Sequence, residues 1–131
     1  MNRTVERKKA FEIIFSIPFN KEKNAEEIIQ NYLEYMEIDM ISDYIRNTVQ
    51  GVLENLEDID KLLSENIKNR KLERLDNICL AVMRLAVYEM KYNKEIPVNV
   101  AINEAIEITK LYDDSLAAFV HANLGLIAKT I

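Results

Sequence analysis

Apolar residues return at three- and four-residue steps almost from one end of this chain to the other, and that period commits it to helices rather than strands. Over residues 25–36 the stripe is Ala25, Ile28, Ile29, Tyr32, Leu33 and Met36, and Asn24 with Glu27 three positions on is the sign of a capping box. Two glycines and two prolines in 131 residues leave few tight turns, which a many-stranded sandwich or barrel needs at every strand end. The expected class is all-α, in one domain spanning residues 1–131. A chain of this length supports one ordinary core, and no repeat, linker or low-complexity tract divides it.

A first helix is expected over residues 4–17, with Ala10, Phe11, Ile14 and Ile17 inward, Arg3, Arg7 and Lys8 elsewhere on the wheel, and Pro18 ending it. Residues 40–67 read as a single long helix through Ile41, Ile45, Val49, Val52, Leu56, Ile59 and Leu63, with Gly51 tolerated inside it. Residues 77–92 are apolar nearly all the way round, so this helix is predicted to be the most buried. Pro97 opens the next helix, to about residue 111, and Ser115 is placed to cap a last one carrying Leu116, Phe119, Val120, Leu124, Ile127 and Ile131. Arg84, Glu89, Asn103 and Glu104 are polar residues in apolar surroundings and are expected to satisfy one another in a structural network.

Little in the composition suits catalysis. The one cysteine, Cys79, sits in an apolar run and reads as a core residue, and the one histidine, His121, leaves no His/Cys set at metal-ligand spacing. There is no Gly-rich phosphate loop and no Ser/His/Asp set with a reason behind it, so the chain is expected to be no enzyme and to need no metal or cofactor. His121 and Asn123 are expected to be core polar groups bonded to backbone. No apolar run reaches the roughly 20 residues of a membrane helix and no signal-peptide core is visible; a soluble, cytoplasmic protein without a membrane partner is expected.

Charge is segregated. Residues 1–23 hold six Lys/Arg against three Glu, residues 61–74 hold five against two acids, and residues 24–60 hold ten acids against Arg46 alone, within a total of −5. Each basic stretch alone is commonly a solvated surface. Together, if they converge, Arg3, Arg7, Lys8 and Lys9 on the first helix and Lys68, Arg70, Lys71 and Arg74 in the loop suit an anionic polymer, because they release counterions condensed on phosphates. Phe15 and Tyr112 are the aromatic candidates for stacking on unpaired bases, though both read more naturally as core.

The run Ile78-Cys79-Leu80-Ala81-Val82-Met83-Arg84-Leu85-Ala86-Val87-Tyr88-Glu89-Met90, then Ile96-Pro97-Val98-Asn99-Val100-Ala101-Ile102-Asn103-Glu104-Ala105, then Phe119-Val120, resembles the signature of the NusB family of transcription antitermination factors. Toward the N-terminus the resemblance rests on Arg7, Ala10, Ile14-Phe15, Gly51-Val52 and Asp60. It implies two small helical bundles packed together, about six to seven helices in all. It also implies binding of boxA-type single-stranded RNA together with the ribosomal protein NusE, in the RNA polymerase antitermination complex that reads through terminators in ribosomal RNA operons. The basic first helix would face RNA, carrying over to Arg3 and Arg7 with Lys8 and Lys9 beside them. Residues 70–76, with Arg70, Lys71 and Arg74, and the Asp114-Ser115 pair would lie near RNA and partner.

This chain departs from the family where His121-Ala122 replaces the usual Asn-Gly, where Glu12 replaces a Gln, and where Thr4 and Val5 stand in place of basic residues. Two other readings follow: a helical protein–protein module that has lost RNA binding, or the NusB-like domain that some ribosomal RNA cytosine methyltransferases carry.

Overall fold

The computed structural model describes residues 2–67 and 70–131, and Lys68 of the basic stretch lies outside them. Seven α-helices form among the described residues: α1 (Arg3–Phe15), α2 (Ala25–Met36), α3 (Asp43–Glu54), α4 (Leu56–Asn66), α5 (Asn77–Tyr92), α6 (Val98–Tyr112) and α7 (Ala117–Ala128). Short 3-10 turns cover Ile17–Phe19, Leu72–Arg74 and Asp114–Leu116. Helix α5 packs against α1, α3, α4, α6 and α7. Burial follows the expectation: from Cys79 to Met90 every residue of α5 except Tyr88 is buried.

Local chemistry sets the helix ends. Asn24 Oδ1 accepts from the Glu27 N–H at 2.9 Å while Glu27 Oε1 accepts from the Asn24 N–H at 3.1 Å, the reciprocal box the sequence promised. Ser42 and Asp76 cap α3 and α5 by accepting from the N–H groups of Ile45 and Ile78. Proline 18 ends α1 as expected, two residues beyond its capping Ser16.

Two expectations need correction. The long helix over residues 40–67 is two helices, broken at Asn55, whose side-chain amide donates to the Gly51 carbonyl at 2.8 Å. An asparagine that can bond a carbonyl of the preceding turn offers the backbone a way to stop, and the apolar period on either side hides it. Ser115 does not cap the last helix. Its hydroxyl donates to Asp113 Oδ1 at 2.6 Å, so Asp113 holds the 3-10 turn and α7 starts at Ala117.

Gly51 marks the closest helix approach. A Cβ there would meet the Tyr88 ring at 2.2 Å, so only glycine lets α3 lie on that ring. The Ala122 methyl, by contrast, is exposed and displaces no neighbouring helix. His121 is exposed rather than in the core, whereas the Asn123 amide donates to the Phe119 carbonyl at 2.8 Å as expected.

Candidate nucleic-acid interface

The polar network differs from the closed quartet expected. Glu89, 1 % exposed in α5, takes Arg7 Nε at 2.9 and 3.1 Å and the Tyr44 hydroxyl at 2.5 Å. Glu104 reaches the same guanidinium at 3.3 Å and accepts from the Thr4 hydroxyl at 3.1 Å. Arg84 turns away to α4, where both oxygens of Asp60 accept from it at 2.9 Å. Asn103 is exposed and takes no part. Each buried charge is thus paired across helices, as the low-dielectric interior demands.

Arg7 was expected on the RNA-facing surface, and it is not there. Its side chain is 3 % exposed, and its charge is spent on Glu89 and Glu104. Burial alone would lower its pKa, but Glu89, Tyr44 and Glu104 outweigh that and hold it above the ordinary value. The reason for its burial lies in the sequence: Arg7 precedes Ala10, Phe11 and Ile14 by three, four and seven positions, which puts it on the apolar stripe. The network it enters, with Tyr44 and Glu89, was missed. A lone carboxylate in an all-round apolar helix was the available signal, since it requires a cation from another element.

The other cations stay in solvent. Arg3 is exposed and lies over the Tyr44 ring at 4.0 Å, with Glu6 at 4.0 Å as a loose partner. Lys8 is exposed and Lys9 half-buried. Lys8 and Lys9 leave α1 roughly 140° and 120° round the axis from Arg3, on opposite sides. Arg70, Lys71 and Arg74 are exposed, and Arg70 sits 5.3 Å from the centre of the Phe119 ring. None of Lys8, Lys9, Arg70, Lys71 or Arg74 has an ion-pair partner among the described residues.

The two basic segments meet only in part: Lys21 lines one hollow with Leu72 and Glu73, while Arg7 lies elsewhere. Arg7 and its neighbour Arg3 belong with Glu89 near the end of α5, whereas Arg70 belongs with Cys79 near its start. Ten residues of helix put these ends about 15 Å apart. Thr4, Lys8, Phe11 and Phe15 share one face of α1 at steps of four and three, and beside them stands Tyr112 at the end of α6. Ring centroids step from Tyr112 to Phe11 at 5.2 Å, to Phe15 at 6.1 Å and to Phe19 at 6.2 Å, all tilted.

Phe19 and Tyr112 are 68 % and 44 % exposed. Phe11, Phe15, Tyr112 and Ile78 line a shallow hollow of about 170 Å³, with Glu12 at its edge. So Phe15 and Tyr112 lie at the surface of the core rather than inside it. Ser115 is exposed beside them in sequence from Tyr112, but its hydroxyl is already given to Asp113.

Cys79 is buried and its thiol pushed up to about 11 by desolvation and by Asp76, which suppresses the nucleophilic thiolate. No group of His, Cys, Asp or Glu among the described residues could hold a metal, and no helix is long and apolar enough to cross a membrane.

The described residues form an all-helical body that exposes Phe19, Tyr112 and several Lys and Arg side chains. The NusB family model matches residues 4–129, and this chain belongs to the NusB family. It is 40 % identical to the transcription antitermination protein NusB of Clostridium botulinum strain Alaska E43, covering 98 % of this chain and 99 % of that protein. The NusB of Listeria innocua is 36 % identical, with 98 % and 97 % covered. Among solved structures, T. maritima NusB superposes with a TM-score of 0.85 at 33 % identity, covering 98 % of this chain and 92 % of that one. A structure of the antitermination factors NusB and NusE in complex with double-stranded RNA superposes at 0.83 with 22 % identity, covering both chains fully, and shows the shared fold. The family is one of transcription antitermination proteins.

Proposed function

We propose that this chain acts as one RNA-binding domain over its 131 residues, takes boxA-type single-stranded RNA together with NusE, and promotes read-through in ribosomal RNA operons within the RNA polymerase antitermination complex. The observation that carries this reading is the pair of exposed rings, Phe19 and Tyr112, linked through Phe15 and the buried Phe11, on a body that also exposes Lys8, Arg70, Lys71 and Arg74 without ion-pair partners among the described residues. Unpaired bases stack on aromatic faces while Lys and Arg hold the backbone, which is how single strands are gripped without a groove to read.

Lys8, which shares a face of α1 with Phe11 and Phe15, and Arg70, beside Phe119, take phosphates, and Arg3, Lys9, Lys71 and Arg74 add further cations around the strand. Ser115, exposed with both its hydroxyl and its N–H given to Asp113, lies near the strand by position and not as a donor. Arg7 serves from beneath by fixing α1 to α5. Supporting the choice of NusE as partner is a NusB of the same fold whose structure contains NusE, there with double-stranded RNA.

The reading is tested by titrating a fluorescein-labelled boxA-type RNA with this protein, with and without NusE. Affinity is expected to rise when NusE is present. Binding to NusE with no effect on RNA affinity would instead favour the protein-only module.

A further inference from the structure

Behind Arg3, away from the aromatic run, lies a second hollow. It is a polar cleft of about 370 Å³ at the start of α1, between α3 and the end of α5, lined by Arg3, Tyr44, Asn47, Tyr88, Asn93 and Glu95 among others. Its size is that of small-ligand clefts. The hydrogen-bonding capacity around it is largely unspent. The Asn47 amide and the Tyr88 hydroxyl have no partner among the described residues, and Asn93 uses only its side-chain oxygen, accepting from the Glu95 N–H at 3.2 Å. Tyr88 is held by the glycine beneath it and by Tyr92, whose ring stacks at 5.9 Å and 24°.

The charge of the lining selects the ligand. Arg3 and Glu95 cancel, so a phosphate gains no net attraction inside, whereas a neutral planar group with donors and acceptors on its edge does. The Arg3 guanidinium, parked over Tyr44 at 4.0 Å, is itself a flat surface on which such a group stacks. We propose that this cleft receives one unpaired nucleobase of the bound RNA, its polar edge read by Asn47, Asn93 and Glu95 and its backbone held at the mouth by Arg3. A carboxylate beside two amides favours a base carrying an amino group over uracil. The inference rests on the RNA-binding reading above and adds a base-specific subsite to it.

A set of boxA-type oligonucleotides, each with one abasic residue, tests it by fluorescence anisotropy in the presence of NusE. Wild-type protein is expected to lose at least about fivefold in affinity at one position that owes its loss to the cleft, the lower end of what a single stacked base contributes. In Asn47→Ala, and in Asn47→Ala/Asn93→Ala, that position becomes insensitive to base removal while the other positions keep their losses. Asn47 is exposed, so the single variant tests the cleft without disturbing the core. If both variants lose affinity by one common factor on every oligonucleotide, or lose none, the subsite is overturned and the RNA-binding reading stands. No binding of the intact RNA by wild type overturns both.

Discussion

Arg7 on α1 and Glu89 on α5 form a buried ion pair, 2.9 Å from Nε to the nearer carboxylate oxygen, that joins helices 82 residues apart in sequence. Tyr44 of α3 donates to the same carboxylate, so three helices meet on one charge. Replacing Arg7 by Met strands that charge in the interior and is expected to cost about 3–5 kcal/mol of stability. Arg7→Met/Glu89→Leu should recover most of the loss, because a hydrophobic pair of similar volume carries no desolvation cost. Urea denaturation of the two variants checks this, and equal losses in both would mean that side-chain volume, not charge, holds the site.

The start of α2 depends on a local device. Asn24→Ala removes one half of the reciprocal box and leaves the Glu27 N–H without its acceptor, for a cost of about 1 kcal/mol. Asn24→Ser should retain most of the stability, since a hydroxyl can take the same bond. Thermal midpoints of the two variants separate a cap effect from a loss of packing, which would fall equally on both.

Stability should fall at alkaline pH. Burial first, and then the Glu89 carboxylate, hold the Tyr44 phenol well above its ordinary value of 10.0. Burial and Glu12 push Tyr32 up to about 12. Unfolded, both phenols ionise near their ordinary value; folded, they keep their protons to higher pH, so the folded state binds more protons across that window. The stabilisation is therefore complete below about pH 10 and is lost as pH rises through the folded values. Urea midpoints measured from neutral to strongly alkaline pH should decline, and the decline should be shallower in Tyr44→Phe. An equally steep decline in that variant would place the linkage elsewhere.

Much of the fold was legible because it is written in period. The stripe of α2, its box at Asn24, the buried α5 and the proline stops all follow from side chains acting within a few residues of themselves. The break at Asn55 escaped because apolar residues continue in phase on either side, and only a side-chain bond to Gly51 stops the helix. At the site, the sign of the charges was legible and their placement was not. Arg7 has the composition of a phosphate contact and the register of a core residue, and Glu89 decides between them from another helix. Likewise Asp113 takes the Ser115 hydroxyl, a contact over two residues that capping rules assign differently.

The salt dependence of RNA binding addresses the central claim most directly, that the exposed Arg3, Lys8 and Arg70 hold phosphates while the buried Arg7 does not. The logarithm of the association constant of boxA-type RNA, with NusE present, is measured against the logarithm of salt concentration for wild type, Arg3→Gln, Lys8→Gln, Arg70→Gln and Arg7→Met. Each of the three surface variants should flatten the slope by about 0.7, the share of one single-strand phosphate contact. Arg7→Met, measured where it remains folded, should keep the wild-type slope. An undiminished slope in all three surface variants, or a flattened one in Arg7→Met, would contradict the account.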